Sequence, residues 1–201
     1  MLELILLALV SYLIGAVPFS YIFPKFLSGV DVRHLGTRNV GATNALLSSK
    51  KKTPAILALI FDMAKGLGAL FIANIFIGDE SSKGVALFFA VVGHDFPFYL
   101  EFKGGKGIAT EAGGIIGYSP ATFFFLIPIY LISLSITKYV ILSTIIVSLF
   151  MPIVFYLTGM GFVGLCVGSL FLILNIYTHR EDLLRILSGK EKKISDSLKG
   201  V

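Results

Sequence analysis

The chain has 201 residues, 56% of them hydrophobic and 14% charged, with a mean hydropathy of +0.89. These values exclude a soluble globular domain, and the length excludes a string of domains, so one membrane-embedded domain over residues 1–201 is expected. The formal net charge of +5 serves as a topological marker, no nucleic acid is expected as a partner, and the single cysteine, Cys166, excludes an internal disulfide.

The first apolar run, residues 3–23, has no basic residue before it and no small-residue cleavage site, so a retained span is expected instead of a signal peptide. The polar stretch DVRHLGTRNVGATN, Asp31 to Asn44, follows. Further apolar runs cover 54–77, 84–100, 107–119, 121–136, 139–158 and 161–177, to be compared with a hydrocarbon core roughly 30 Å thick. The run 107–119 is short and glycine-rich, and hydropathy alone merges it with the next. Asp62 and Lys65 interrupt the second span at i and i+3, which predicts a structural ion pair.

Charge settles the count. Of the 17 Lys and Arg, six lie between the first two spans (Lys25, Arg33, Arg38, Lys50, Lys51, Lys52) and six follow Thr178 (Arg180, Arg185, Lys190, Lys192, Lys193, Lys199). The positive-inside rule puts both groups in the cytoplasm, which requires an odd number of spans. The expected fold is all-α: a polytopic integral membrane protein of seven transmembrane helices, N-terminus outside and C-terminus cytoplasmic. The same alternation puts Asp79, Glu80 and Lys83 outside and Lys103, Lys106 and Lys138 inside. Three polar clusters then share the cytoplasmic face: Asp31 to Asn44, GHDFPFYLEFKGGKGIAT from Gly93 to Thr110, and HREDLLRILSGKEKK from His179 to Lys193. The basic tail from Glu181 to Lys199, with leucines interleaved, suits an anionic leaflet.

Thr37, Asn39, Thr43 and Asn44 offer hydroxyl and amide groups around Gly36 and Gly41, where backbone can approach a ligand. A loop followed by a capped helix explains any one of them equally well. FKGGKG, Phe102 to Gly107, joins two lysines to three glycines before an expected helix start. It lacks P-loop spacing, but glycine amides, a helix N-terminus and Lys106 together suit a small anion. His94 and His179 are candidates for a donor or base beside a phosphate. The carboxylates are scattered and no histidine pair has ligand spacing, so no metal is expected. An enzyme with these parts orients an activated substrate for direct attack; a small-anion transporter is the alternative, although no repeated halves are visible.

GTRNVGATN (Gly36 to Asn44), DMAKG (Asp62 to Gly66), GHDFP (Gly93 to Pro97), FKGGKGIAT (Phe102 to Thr110) and HRED (His179 to Asp182), in this order over nearly the whole chain, resemble the bacterial acyl-phosphate:glycerol-3-phosphate acyltransferase family. The resemblance implies a multi-pass enzyme of the bacterial inner membrane with its active site on the cytoplasmic side, and a reaction without metal or cofactor. It implies an acyl phosphate donor made by a soluble enzyme, a glycerol 3-phosphate acceptor, membrane lipid around the chain, and lysophosphatidic acid with phosphate as products. Taken with the resemblance, the expected donor-phosphate site is Thr37, Asn39, Gly104, Gly105, Lys106 and Gly107; the expected catalytic residues are His94, Lys106 and Thr37; and the expected acceptor contacts are Arg38, Asn44, His179 and Asp182. Three positions depart from the family pattern: Leu47 where it has Arg, Arg38 where it has Gly, and Asp182 where it has Asn. Arg38 is expected to replace the cation missing at Leu47, and Asp182 to repel a phosphate unless a neighbour such as Arg185 neutralises it. The departures also fit a divergent paralogue with another acceptor or no activity.

Overall fold

The computed structural model describes residues 1–49, 51–191 and 193; Lys50, Lys192 and Lys199 lie outside the described residues. The described residues form helices and connecting turns, without strands. The chain divides into two compact units, Met1–Tyr118 and Ser119–Val201. Among the described residues, four stretches are long and apolar enough to cross a membrane: Leu2–Ser28, Thr53–Phe76, Pro120–Thr137 and Val140–Thr178.

In the first unit the apolar run expected to be one span is two helices, α1 (Leu2–Ala16) and α2 (Phe19–Ser28). Pro18 is the physical reason. It forces the preceding Val17 into an extended conformation, with ψ 115°, and ends the helix there. α2 closes on Gly29, whose φ of 67° lets its amide reach back to the Lys25 carbonyl at 3.1 Å. A short α3 (Ala42–Ser48) follows the first polar loop, then the long α4 (Thr53–Phe76) with Pro54 in its first turn. α5 (Glu80–Asp95) starts on Asp79, which accepts the Ser82 amide at 2.7 Å. It ends at Asp95, short of the expected 100. A 3-10 turn (Phe98–Leu100) leads to α6 (Ile108–Tyr118), whose 11 residues rise only about 16 Å, half a hydrocarbon core.

Small residues bring these helices together. A side chain on Gly66 of α4 would strike the backbone of Thr110 and Gly114 in α6, and one on Gly93 of α5 would strike Tyr12 and Ala16 of α1. Such contacts let backbones approach where lipid supplies no hydrophobic drive.

The second unit holds α7 (Pro120–Thr137), α8 (Val140–Phe155), a π turn over Tyr156–Met160, α9 (Gly161–Thr178) and α10 (Arg180–Leu187). Lys138, at φ 64°, turns α7 into α8. Gly168 of α9 sits against the backbone of Met151 and Pro152, and Asn175 donates to Ser148 Oγ at 2.8 Å, a buried polar tie between α8 and α9.

Candidate active site

The first unit is built around a buried ionic knot. Asp62 and Lys65 meet at 2.9 Å on one face of α4, which realises the predicted ion pair. Ser20 Oγ donates to the second Asp62 oxygen at 2.5 Å, and His94 Nδ1 stands 3.5 Å from the first. Lys65 also donates to the Val17 carbonyl at 3.0 Å, an acceptor sited where Pro18 stops α1. Asp62 is 1% exposed and Lys65 4%, so these charges persist only because each meets another polar group.

The glycine run lies directly on this knot. Gly104 donates its amide to the Asp95 carbonyl at 3.0 Å, and Gly105 to the His94 carbonyl at 3.1 Å. From the other side the Val40 amide donates to the Gly104 carbonyl at 3.4 Å. The run is thus threaded between the end of α5 and the first polar loop, and the first two sequence clusters meet. A side chain on Gly105 would collide with the His94 imidazole and lie 2.6 Å from the Val40 carbonyl, so only glycine fits. Gly107, at φ 70°, turns the chain into α6, and its α-hydrogen side faces the Asp95 carboxylate. That carboxylate is buried, accepts no hydrogen bond among the described residues, and feels the charges of Glu111, Lys65 and Lys106.

Three sequence expectations change here. Gly104 and Gly105 were expected to offer amides to a phosphate, but those amides are committed to the end of α5. Asn44 was expected to touch the acceptor, yet it is buried and saturated: Nδ2 donates to the carbonyls of Val32, Leu35 and Asn39 at 2.8, 3.1 and 2.9 Å, while Oδ1 accepts from the Thr37 amide and Ser48 Oγ at 2.8 and 3.2 Å. It shapes the loop. His94 was expected to be catalytic; it is 7% exposed, with Nδ1 3.5 Å from Asp62 and its ring against Gly105, which makes it the support of the glycine run.

Thr37 and Arg38 are exposed at the loop's rim, with Asn39 partly buried beside them. Thr37 Oγ1 accepts the Asn39 amide at 3.4 Å. Arg38 has φ 62°, the left-handed region that favours glycine. Lys106 is partly buried in the turn before α6. At the loop's entrance Arg33 makes a bidentate pair with Asp31, at 3.0 and 2.7 Å, and this hydrogen bonding holds the Asp31 carboxyl down at about 2.

In the second unit His179 sits between α9 and α10 with Nδ1 2.9 Å from Asp182 Oδ2. Asp182 is also gripped by Arg185, so the neutralising neighbour considered from the sequence is present. Ser20, Asp95 and the Val17 carbonyl were missed by sequence reasoning. Only Asp95 carried a signal, a charge inside GHDFP.

The model of the family described as "Glycerol-3-phosphate acyltransferase" matches residues 5–189. Among curated relatives, a glycerol-3-phosphate acyltransferase of Thermotoga petrophila is 37% identical over 94% of this chain and 96% of its own. One of Syntrophomonas wolfei is 39% identical over 94% and 96%. Among solved structures, PlsY, an integral membrane glycerol 3-phosphate acyltransferase, matches in its glycerol 3-phosphate form with a TM-score of 0.86 at 30% identity, covering 96% of each chain. Its lysophosphatidic acid form matches at 0.85 over 98% of each. This chain is therefore a member of the glycerol-3-phosphate acyltransferase family.

Proposed function

We propose that this chain transfers an acyl group from acyl phosphate to glycerol 3-phosphate, forming lysophosphatidic acid and inorganic phosphate. The observation that carries the reading is the full-length match to PlsY, whose two forms hold an acceptor and a product of this reaction.

Lys106, Gly107 and the amides at the start of α6 hold the donor phosphate, with Thr37 and Asn39 on its other side. Gly104 and Gly105 shape the turn, and His94 supports it from below as a positioning residue. A groove of about 300 Å³ between α4 and α6, lined by Ile60, Met63, Ala64, Leu67, Gly113 and Ile116, suits the acyl chain. Gly113 lies six residues beyond Gly107, about 9 Å along the helix, within a few carbon–carbon bonds of a carbonyl attached to that phosphate. The acceptor hydroxyl attacks the acyl carbonyl, a donor-phosphate oxygen takes its proton, and the acyl carbon–oxygen bond breaks with phosphate leaving. Arg38 in the first unit and His179 in the second are each assigned to acceptor binding; Asn44 and Asp182 act through their neighbours.

The charge distribution supports seven spans with the N-terminus outside and an active site on the cytoplasmic side, and the family match over residues 5–189 supports one domain of the bacterial inner membrane. A soluble enzyme on that side supplies the acyl phosphate. Purified chain in detergent, given acyl phosphate and labelled glycerol 3-phosphate, should form labelled lysophosphatidic acid. Lack of product, or uptake of phosphate into vesicles without acyl transfer, would refute the reading.

A further inference from the structure

The junction of α9 and α10 carries a chain of side chains whose geometry goes beyond simple acceptor contact. His179 donates its amide to the Asn175 carbonyl at 3.0 Å, and its own carbonyl accepts the Leu183 amide at 2.9 Å, so its backbone is held on both sides. Nδ1 meets Asp182 Oδ2 at 2.9 Å, Arg185 grips the other oxygen, and Arg185 Nε donates to Glu191 at 2.7 Å. His179 and Asp182 are each 2% exposed. A carboxylate paired with a guanidinium is ionised and can only accept, so Nδ1 is the donor. In the neutral ring Nε2 then carries the lone pair. That atom is buried and has no hydrogen-bond partner among the described residues. Buried polar atoms are seldom left so without a ligand or water to complete them.

We propose that Asp182 is a positioning residue that holds His179 in the Nδ1–H tautomer, so that Nε2 accepts a hydrogen bond from a hydroxyl of the acceptor. A phosphate dianion has no hydrogen to offer that lone pair. The tautomer therefore sorts the two ends of a polyol phosphate, drawing the hydroxyl end to His179 and leaving the phosphate to cations. Asp182 supports acceptor binding through His179, the reverse of the repulsion expected from its charge alone. This inference rests on the glycerol 3-phosphate reading above.

The test uses the purified full chain in detergent, with ¹⁵N-labelled histidine; the chain has only three. Wild-type His179 should show an unprotonated Nε2 whose resonance moves on adding glycerol 3-phosphate. The signature should survive Asp182→Asn, whose amide oxygen still accepts from Nδ1, and vanish in Asp182→Ala. In acyl transfer, Asp182→Ala should raise the KM for glycerol 3-phosphate about tenfold, the scale of one lost hydrogen bond, with Asp182→Asn close to wild type. A proton on Nε2 in the wild type, or no response to glycerol 3-phosphate, overturns the proposal even where Asp182→Ala does not fold. A KM lowered in both variants makes Asp182 a repulsive charge, and lower thermal stability at unchanged KM makes it only a helix staple; either result overturns it. Wild-type chain without acyl transfer would refute the catalytic reading alone, because the spectra still decide the tautomer and the ligand contact.

Discussion

Gly105→Ala tests whether the glycine run is seated on His94. An added methyl group would overlap the His94 imidazole and approach the Val40 carbonyl to 2.6 Å, and the run is tied on both sides by the Gly105 and Val40 amides. Overpacking of this kind costs about 1 to 3 kcal/mol, which for a chain of this size corresponds to a fall in Tm of roughly 2 to 12 °C. Gly68→Ala is the control. It lies in α4 with open space where the methyl would go, and helix propensity makes alanine favourable there by about 1 kcal/mol. Thermal unfolding in detergent and the KM for acyl phosphate are read on both variants. Gly105→Ala should unfold earlier and bind the donor more weakly, while Gly68→Ala should do neither. Combining Gly105→Ala with His94→Ala should cost less than the sum of the two, because the larger obstacle is gone, although the Val40 carbonyl remains. Wild-type Tm and KM in Gly105→Ala, or strict additivity in the double variant, would show that the ring does not support the turn.

Lys106→Ala should lower kcat/KM about ten- to a hundred-fold, as expected for loss of a charge-assisted contact, with Tm close to wild type; steady-state kinetics alongside thermal unfolding check it. Arg38→Gly should weaken glycerol 3-phosphate binding, and adding Leu47→Arg should restore part of it, as titration of each variant will measure. The φ of 62° at Arg38 suits glycine, so loss of binding there cannot be ascribed to a strained backbone. Asp31 has its pKa lowered to about 2 from the usual 3.8 by Arg33. The stability it contributes is present above pH 4 and is lost as pH falls through about 2; acid unfolding of Asp31→Asn should be flatter than wild type over that window.

Long apolar runs and the bias of Lys and Arg determined the membrane class, and i,i+3 spacing alone determined the Asp62–Lys65 pair, because both depend on local composition and helix geometry. The five motifs in order were enough to indicate the family. Tertiary structure decided what those motif residues do. Asn44 reads as a polar ligand contact in sequence, but hydrogen bonds to carbonyls as far back as Val32 make it the frame of its loop. His94 reads as a candidate base in sequence, but α4 brings Asp62 to 3.5 Å from one ring nitrogen and the ring packs against Gly105, so it also supports the turn. The same holds for the glycines, whose amides look free in sequence and are taken by the end of α5. In each case the deciding partner is distant in the chain or is a backbone carbonyl, which every residue carries alike. Hydrogen-bond capacity is legible from residue type, but the partner that uses it is set only when the helices pack.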